Sequence, residues 1–404
     1  MVETPAPSAP PPSVPAVRPV FDAVDDPAAV AEVWRELERN GCVMPFQSYD
    51  WVTTWLAVGA SPAGARPMVI RARRDGVTEW LLPIVVERLG PVAIARRLGA
   101  SHASYVLGAW RDLAAGLAPQ EIRAGLLALA RREGIDAFAL DAVPVDWDGI
   151  AVPLAAALPR RPSLDDGHAL RLTTSFEALL AGRNAGHKRK KLKVKERMLE
   201  AAGGYRISTA ATAAEIEATL AAFFAQKAAS LAARGTADPF AAPAVRDFWR
   251  RLAVASCGAA RPIFELTRLE AGGAIRAVIG AAFGGGRLFA LFASFADDEL
   301  TRASPGETLF FRHIEASCRR GLAVYDMGVG SERYKAGWCD ERVPLVDLRL
   351  AVTPAGRIVL ALTGLRDRAK AAIRRDRRLW PLVRRLRARL AGHRVAGEGR
   401  AAPD

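Results

Sequence analysis

One stretch of this 404-residue sequence limits the fold more than any other: residues 273–338. It reads strand, strand, capped helix, strand, polar loop. Residues 277–283 form a short apolar run closed by Gly284-Gly285-Gly286, and residues 287–295 are rich in the aromatic side chains that strands favour. Three successive glycines suit a tight hairpin between them. Asp297-Asp298-Glu299 then rules out a buried element. Ser304-Pro305-Gly306-Glu307 predicts a helix start, with Ser304 as cap, Pro305 at the first helical position and Glu307 where a capping box needs it. The helix keeps Leu309, Phe310, Ile314 and Cys318 near one face and stops at Gly321. Residues 322–327 are the next strand, and they run into Gly328-Val329-Gly330-Ser331-Glu332-Arg333-Tyr334-Lys335.

The first N–H groups of such a helix have no internal partner, and its dipole is positive there, so phosphate groups bind such ends. Gly306 would let a ligand approach the backbone, and Arg302 would add charge. Arg302, Ser304, Gly306, Glu307 and Thr308 are therefore the candidate donor-binding residues. A plain helix cap is the competing reading. Glu307 favours it, because its carboxylate competes with a phosphate.

Arg302-x-Ser304-Pro305-Gly306, followed by Tyr325-Asp326-x-Gly328-x-Gly330-x-Glu332-x-Tyr334-Lys335-x-x-Trp338, resembles the CelD/BcsL-type branch of the GNAT acetyltransferase superfamily. Members of that branch are associated with bacterial cellulose and exopolysaccharide production. Phe46-Gln47-Ser48-Tyr49-Asp50-Trp51 is similar to its N-terminal signature. The resemblance extends over residues 20–355. It implies an α/β (α+β) fold of two tandem GNAT-like domains, mixed central sheets flanked by helices, as in the Fem peptidyl transferases. It also implies acetyl-CoA, or another acyl-CoA, as co-substrate in the second domain. The pyrophosphate loop of ordinary GNAT enzymes reads Gln/Arg-x-x-Gly-x-Gly/Ala, whereas this chain has Arg302-x-x-x-Gly306.

The length allows two domains with ordinary cores. The predicted organisation is a disordered Pro/Ala-rich tail (1–19), an N-terminal domain without a donor site (20–165), a catalytic domain (166–354) and a basic amphipathic helical tail (355–404). Cys42, Cys257, Cys318 and Cys339 lie far apart, in neither a disulfide framework nor a zinc pattern, so no metal is expected. The first residues lack a signal peptide's basic start and apolar core, and no apolar run is long enough to span a bilayer. A cytoplasmic protein is predicted, with the inner membrane face open to its tail.

In the first half, helical spacing marks residues 27–39 and 119–132, a strand pair turns at Asp75-Gly76, and Trp51 and Trp55 read as core. The helix and strand at 119–140 parallel those at 307–327, which suggests duplication; no glycine loop precedes Pro119. Ser101-His102-Ala103-Ser104-Tyr105 reads as a surface loop first and as the lining of a substrate cleft second, and residues 141–170 read as an irregular connection. Residues 343–352 read as the last strand of the second half, so removal of 356–404 should leave that half folded.

Arg183, Lys188, Arg189, Lys190, Lys191, Lys193, Lys195 and Arg197 form a basic run. It reads chiefly as a solvated helix face, or else as a holder of the CoA 3′-phosphate or an anionic substrate. Nucleic acid is disfavoured, because interleaved aromatics are missing. Residues 355–404 carry fourteen Lys and Arg against four Asp and Glu, a balance of +10 out of the chain's +14. Their apolar residues recur at helical spacing. An anionic membrane surface and the protein's own body are the two partners open to such a helix.

The sequence lacks a dinucleotide fingerprint, a His-Glu-x-x-His, a Gly-x-Ser-x-Gly and a P-loop. Acyl transfer to an amine or hydroxyl remains, on a small-molecule or saccharide-linked acceptor. It needs a base, a donor to the carbonyl oxygen, and a proton for the thiolate. Asp326 and Glu332 are the candidate bases, with loop ordering and pairing to Arg333 or Lys335 as their structural readings. Tyr334 is the candidate acid by analogy with GNAT tyrosines, and Lys335 a holder of substrate or phosphate. A Fem-like transferase using aminoacyl-tRNA and a non-catalytic polysaccharide-synthase accessory protein are the alternatives.

Overall fold

A computed structural model describes residues 17–375 except 182, 184 and 331, and the side chains of these except 333, 334 and 369–375. Two mixed sheets organise them. The first has the strand order Val20–Val24, Arg66–Arg74, Val77–Leu89, Val92–Arg97, Ala137–Pro144, Leu345–Ala351, Arg160–Pro162. The second has the order Tyr205–Thr209, Phe264–Ala271, Ala274–Gly284, Arg287–Phe295, Val324–Val329, Gly167–Arg171, Glu341–Val343. Each contains one parallel pair, Val92 strand beside Ala137 strand and Arg287 strand beside Val324 strand. A helix bridges each pair, Pro119–Glu133 in the first and Pro305–Arg319 in the second. The same plan thus occurs twice, as the parallel between 119–140 and 307–327 suggested.

The hairpins follow from local chemistry. Asp75 and Gly76 (φ 51° and 79°) and Gly285 and Gly286 (φ 58° and 72°) supply the paired left-handed residues that match strand twist. Trp51 and Trp55 are buried, as expected. Trp51 lies 5.1 Å from Phe248 and 5.4 Å from Trp249 between ring centroids, and Phe46 lies 5.3 Å from Phe289. These contacts join the two halves through one core, because the aromatic face of each half is too large to be left in water.

Two sequence readings are corrected. Residues 343–352 do not close the second sheet: Glu341–Val343 ends there, and Leu345–Ala351 crosses to the first sheet between Ala137–Pro144 and Arg160–Pro162. Residues 141–170 are not irregular. They hold the end of the Ala137 strand, the small ladder of Asp146–Trp147 and Ile150–Ala151, the helix Pro153–Ala157 and the strand Arg160–Pro162. The helix Pro354–Arg375 is seated on the first sheet: Val359 and Leu360 pack on Val92, Ile94 and Ala139, which removal of 356–404 would bare. Residues 376–404, the rest of the predicted tail, lie outside the described residues, as do residues 1–16.

In the first sheet the parallel pair ends at Arg96↔Ala139, and the gap beyond it is filled by the chain itself. The buried stretch 105–107 lies there, with the Val106 N–H donating to the Ala142 carbonyl at 3.0 Å. The chain itself thus closes this gap.

Candidate active site

In the second sheet the corresponding strands part as well. The Arg287 and Val324 strands are in register only from Arg287↔Val324 to Phe289↔Asp326, although they run on to Phe295 and Val329. Parallel strands that part at their carboxyl ends leave backbone groups facing a gap, and such groups take a partner. The Pro305 helix begins at the same end. A Cβ on Gly306 would stand 3.2 Å from Phe295 Cβ, so this glycine serves the close approach of helix and strand.

The capping chemistry is not what the sequence suggested. Ser304 is left-handed (φ 49°, ψ 60°) and makes no side-chain cap. It closes the preceding turn Thr301–Ala303, donating its N–H to Thr301, and that conformation turns its hydroxyl away from the first-turn amides. Its carbonyl accepts from Glu307 and Thr308 N–H at 3.0 and 3.1 Å. Glu307 reaches instead to the helix Ala185–Ala201, pairing with Lys195 and, at 3.1 Å, with Lys191. Burial alone would push this carboxyl up, but the two ammonium groups hold it below the usual range. Thr308 is buried with its hydroxyl unpaired, and Arg302 is exposed.

The basic run is therefore only partly a solvated face. Lys195 is buried against Glu307, and Lys188 Nζ sits 3.8 Å from the Trp338 ring centroid and donates to the Gly337 carbonyl at 2.7 Å. Arg189, Lys190, Lys193 and Arg197 face solvent.

Asp326 is fully buried where the strands part. Its Oδ1 accepts from the Tyr105 hydroxyl at 2.9 Å and from Gly328 N–H at 2.7 Å, and Oδ2 lies 3.3 Å from Arg287 Nη1. Burial pushes its pKa up to about 6 against the pull of Arg287 and these hydrogen bonds. No face of this carboxylate is open to an acceptor, which corrects its reading as a base. Its role is to hold the Gly328 turn (φ 70°). Lys335 is also buried, with Nζ donating to the carbonyls of Gly328, Val329 and Gly330 at 3.1–3.3 Å and pairing with Glu332 at 2.8 Å. These contacts occupy Lys335 with shaping the loop, so the reading of it as a ligand holder is corrected too. Glu332 keeps an exposed carboxylate; burial works to raise it, and Lys335 brings it below the usual range. Tyr334 lies in the turn Arg333–Ala336, and its side chain is outside the described residues.

Three residues at this site, Arg287, His168 and Lys227, escaped the sequence reading, and a fourth, Tyr105, was given a cleft only as the second choice. Tyr105 is no surface residue: it is buried, and burial followed by the Asp326 charge pushes its phenol well up. Arg287 is buried between Asp326 and Asp148, with Nη2 2.6 Å from Asp148 Oδ1 and its guanidinium 4.3 Å from the Trp147 ring. An arginine inside an apolar strand was the available signal, since a buried charge needs partners. His168 stands at a break in register between the Gly167 and Val324 strands. Burial first, then Lys335, lowers its pKa, which leaves it neutral at pH 7. Lys227 of the helix Ala213–Ala233 donates to the Ala293 carbonyl at 3.3 Å on the Arg287 strand, beyond its last pair with the Val324 strand. Burial lowers its pKa, while Asp238 and Glu332 oppose that effect.

Residues 186–336 match the acetyltransferase (GNAT) domain model. No curated protein matches the chain. Among solved structures, FemX is similar at 12% identity over 80% of this chain and 96% of its own, with a TM-score of 0.53. The C-terminal domain assigned to a lysylphosphatidylglycerol synthetase of Agrobacterium fabrum is similar at 15% identity over 84% and 95%, TM-score 0.51. A conserved protein of unknown function from Bacteroides thetaiotaomicron is similar at 12% over 81% and 99%, TM-score 0.51. At these identities the likeness is one of fold. The matched segment contains the strand gap, the Pro305 helix and most of the Gly328 loop, so the site lies within the part of the chain that is similar to that domain.

Proposed function

We propose that the protein transfers an acyl group, acetyl in the simplest case, from acyl-CoA to an amine or hydroxyl. The observation that carries this reading is the strand gap that opens directly onto the start of the Pro305 helix and the lysines beside it. A pantetheine arm lying in the gap would pair with those strand groups that Lys227 and Lys335 do not hold. Its thioester carbonyl would accept from strand amides, and its phosphates would meet the helix start, Lys191 and Lys195. Glu332, with neutral His168 beside it, would take the acceptor's proton, and Tyr334 would return one to the thiolate. The resemblance of residues 302–338 to the CelD/BcsL-type branch supports a saccharide-linked acceptor in exopolysaccharide or cellulose production.

Glu307 now occupies the lysines that a donor phosphate would need. Titration calorimetry with acetyl-CoA should therefore show tighter binding for Glu307→Gln and weaker binding for Lys195→Ala. Each change is expected to be about tenfold, the worth of one charge-assisted hydrogen bond. Equal affinities in both variants would move the phosphates elsewhere. The exposed Arg189, Lys190, Lys193 and Arg197 support a second reading, an aminoacyl-tRNA donor. Retarded migration with aminoacyl-tRNA and no heat with acetyl-CoA would establish it; no binding of either would leave an accessory protein.

A further inference from the structure

The Pro354 helix has two different faces. Val359 and Leu360 pack on Val92, Ile94 and Ala139, and Asp367 on the same side pairs with Arg161 at 2.7 Å. The helix start is also tied down: Thr353 Oγ1 donates to Asp136 at 2.7 Å and accepts from Gly356 N–H at 3.1 Å. A Cβ on Gly356 would overlap the Asp136 carbonyl, so this end is seated firmly on the body. The opposite face carries Ile358, Leu362 and Leu365 at i, i+4 and i+7, with 62%, 63% and 64% of their surface exposed. Three large apolar side chains in one row on a docked helix are an open face.

The charge around that row is of one sign. At about 100° per residue, Arg366 falls about 80° to one side of the stripe, and Arg357 and Arg368 about 80–100° to the other. Asp367 is the only acidic residue between Pro354 and Arg375, and it points to the body. Residues 376–404 add eight arginines to three acids, so positive charge continues in the sequence past the described end of the helix.

We infer that the Ile358-Leu362-Leu365 stripe of the Pro354 helix docks on an anionic membrane surface, with Arg357, Arg366 and Arg368 meeting the headgroups. The apolar side chains enter the headgroup–acyl boundary, and the arginine stems lie along it with their guanidinium groups in the phosphate layer. Among the described residues no helix is long and apolar enough to cross a membrane, so the attachment is peripheral. The expected choice between docking on the body and docking on a membrane dissolves, because each partner takes its own face. A second copy of the chain meets the stripe with like charge on both sides, which is why a bilayer is the occupant the charges favour.

Flotation of the full-length protein with vesicles tests this. Vesicles of equal parts phosphatidylcholine and phosphatidylglycerol should carry the protein at low salt and release it at high salt, and phosphatidylcholine alone should not carry it. Ile358→Glu, Leu362→Glu and Leu365→Glu combined should lower the partition coefficient roughly a hundredfold. Arg366→Ser and Arg368→Ser should each lower it about fivefold. All five positions are exposed, so melting temperatures should stay those of the parent, a control run on the same samples. No flotation with the anionic vesicles overturns the inference. So does undiminished flotation of the triple variant, which would assign binding to arginines beyond residue 375. Sedimentation showing a dimer that the triple variant splits, without vesicle binding, would give the stripe to a second copy and overturn it as well.

Discussion

Asp326→Ala should cost about 3–5 kcal/mol of folding stability in urea unfolding and remove acyl transfer, because it leaves the Arg287 guanidinium and the Tyr105 hydroxyl buried without their partner. The loss of activity follows from the loop. Gly328 N–H is held by the same carboxylate, and Lys335 packs on the carbonyls that follow it. Asp326→Asn keeps the shape and removes the titration. In the parent the carboxyl's pKa is raised from 3.8 to about 6 by burial, so the folded chain keeps a proton that the unfolded chain has released. Its contribution to stability is full below about pH 4 and is lost as pH rises through 6, a change of roughly 3 kcal/mol at 1.4 kcal/mol per unit. Unfolding of parent and Asp326→Asn followed from pH 4 to pH 7 should show this slope in the parent alone. Parallel profiles would mean that Asp326 does not titrate in this range.

Gly167→Ala is the second large effect. Gly167 lies on the strand next to Asp326, and a Cβ there would overlap the Tyr105 hydroxyl. Tyr105 would have to leave Asp326, at about 1–3 kcal/mol for the crowding and a comparable amount for the lost hydrogen bond. The two losses share one cause, so they are not additive with removal of the hydroxyl. In a Tyr105→Phe background, alanine at 167 should cost less than it does in the parent. A double-mutant cycle would measure that coupling, and simple additivity would show that Gly167 acts through something other than Tyr105. Because Tyr105 sits behind Asp326 and out of reach of solvent, both substitutions should lower kcat more than they raise the KM for donor.

Much of the second half was legible without coordinates. The Gly285-Gly286 hairpin, the helix after Pro305 and the strand to the Gly328 loop each rest on residues close in sequence, where propensity and turn chemistry act. Lys335 and Glu332 were singled out correctly as neighbours, since three residues on one turn must meet. The resemblance of residues 302–338 to a family carried the rest of the site reading.

What failed had partners far away along the chain. Ser304 is a good cap by type, yet the preceding turn sets its backbone, and Glu307 answers to Lys191 and Lys195, more than a hundred residues earlier. The last strand had the right alternation for either sheet, and it pairs with Ala137–Pro144, some two hundred residues away. Tyr105 and Asp326 are 221 residues apart, and nothing local to either predicts their hydrogen bond. Local sequence determined most of the elements and the glycine loop after the Val324 strand, because those follow from backbone preference and side-chain period. Tertiary structure alone decided which charges are buried, which lysines face the helix start, and which face of the last helix remains open. Those outcomes depend on desolvation and on distant partners, and no single segment of the chain contains both.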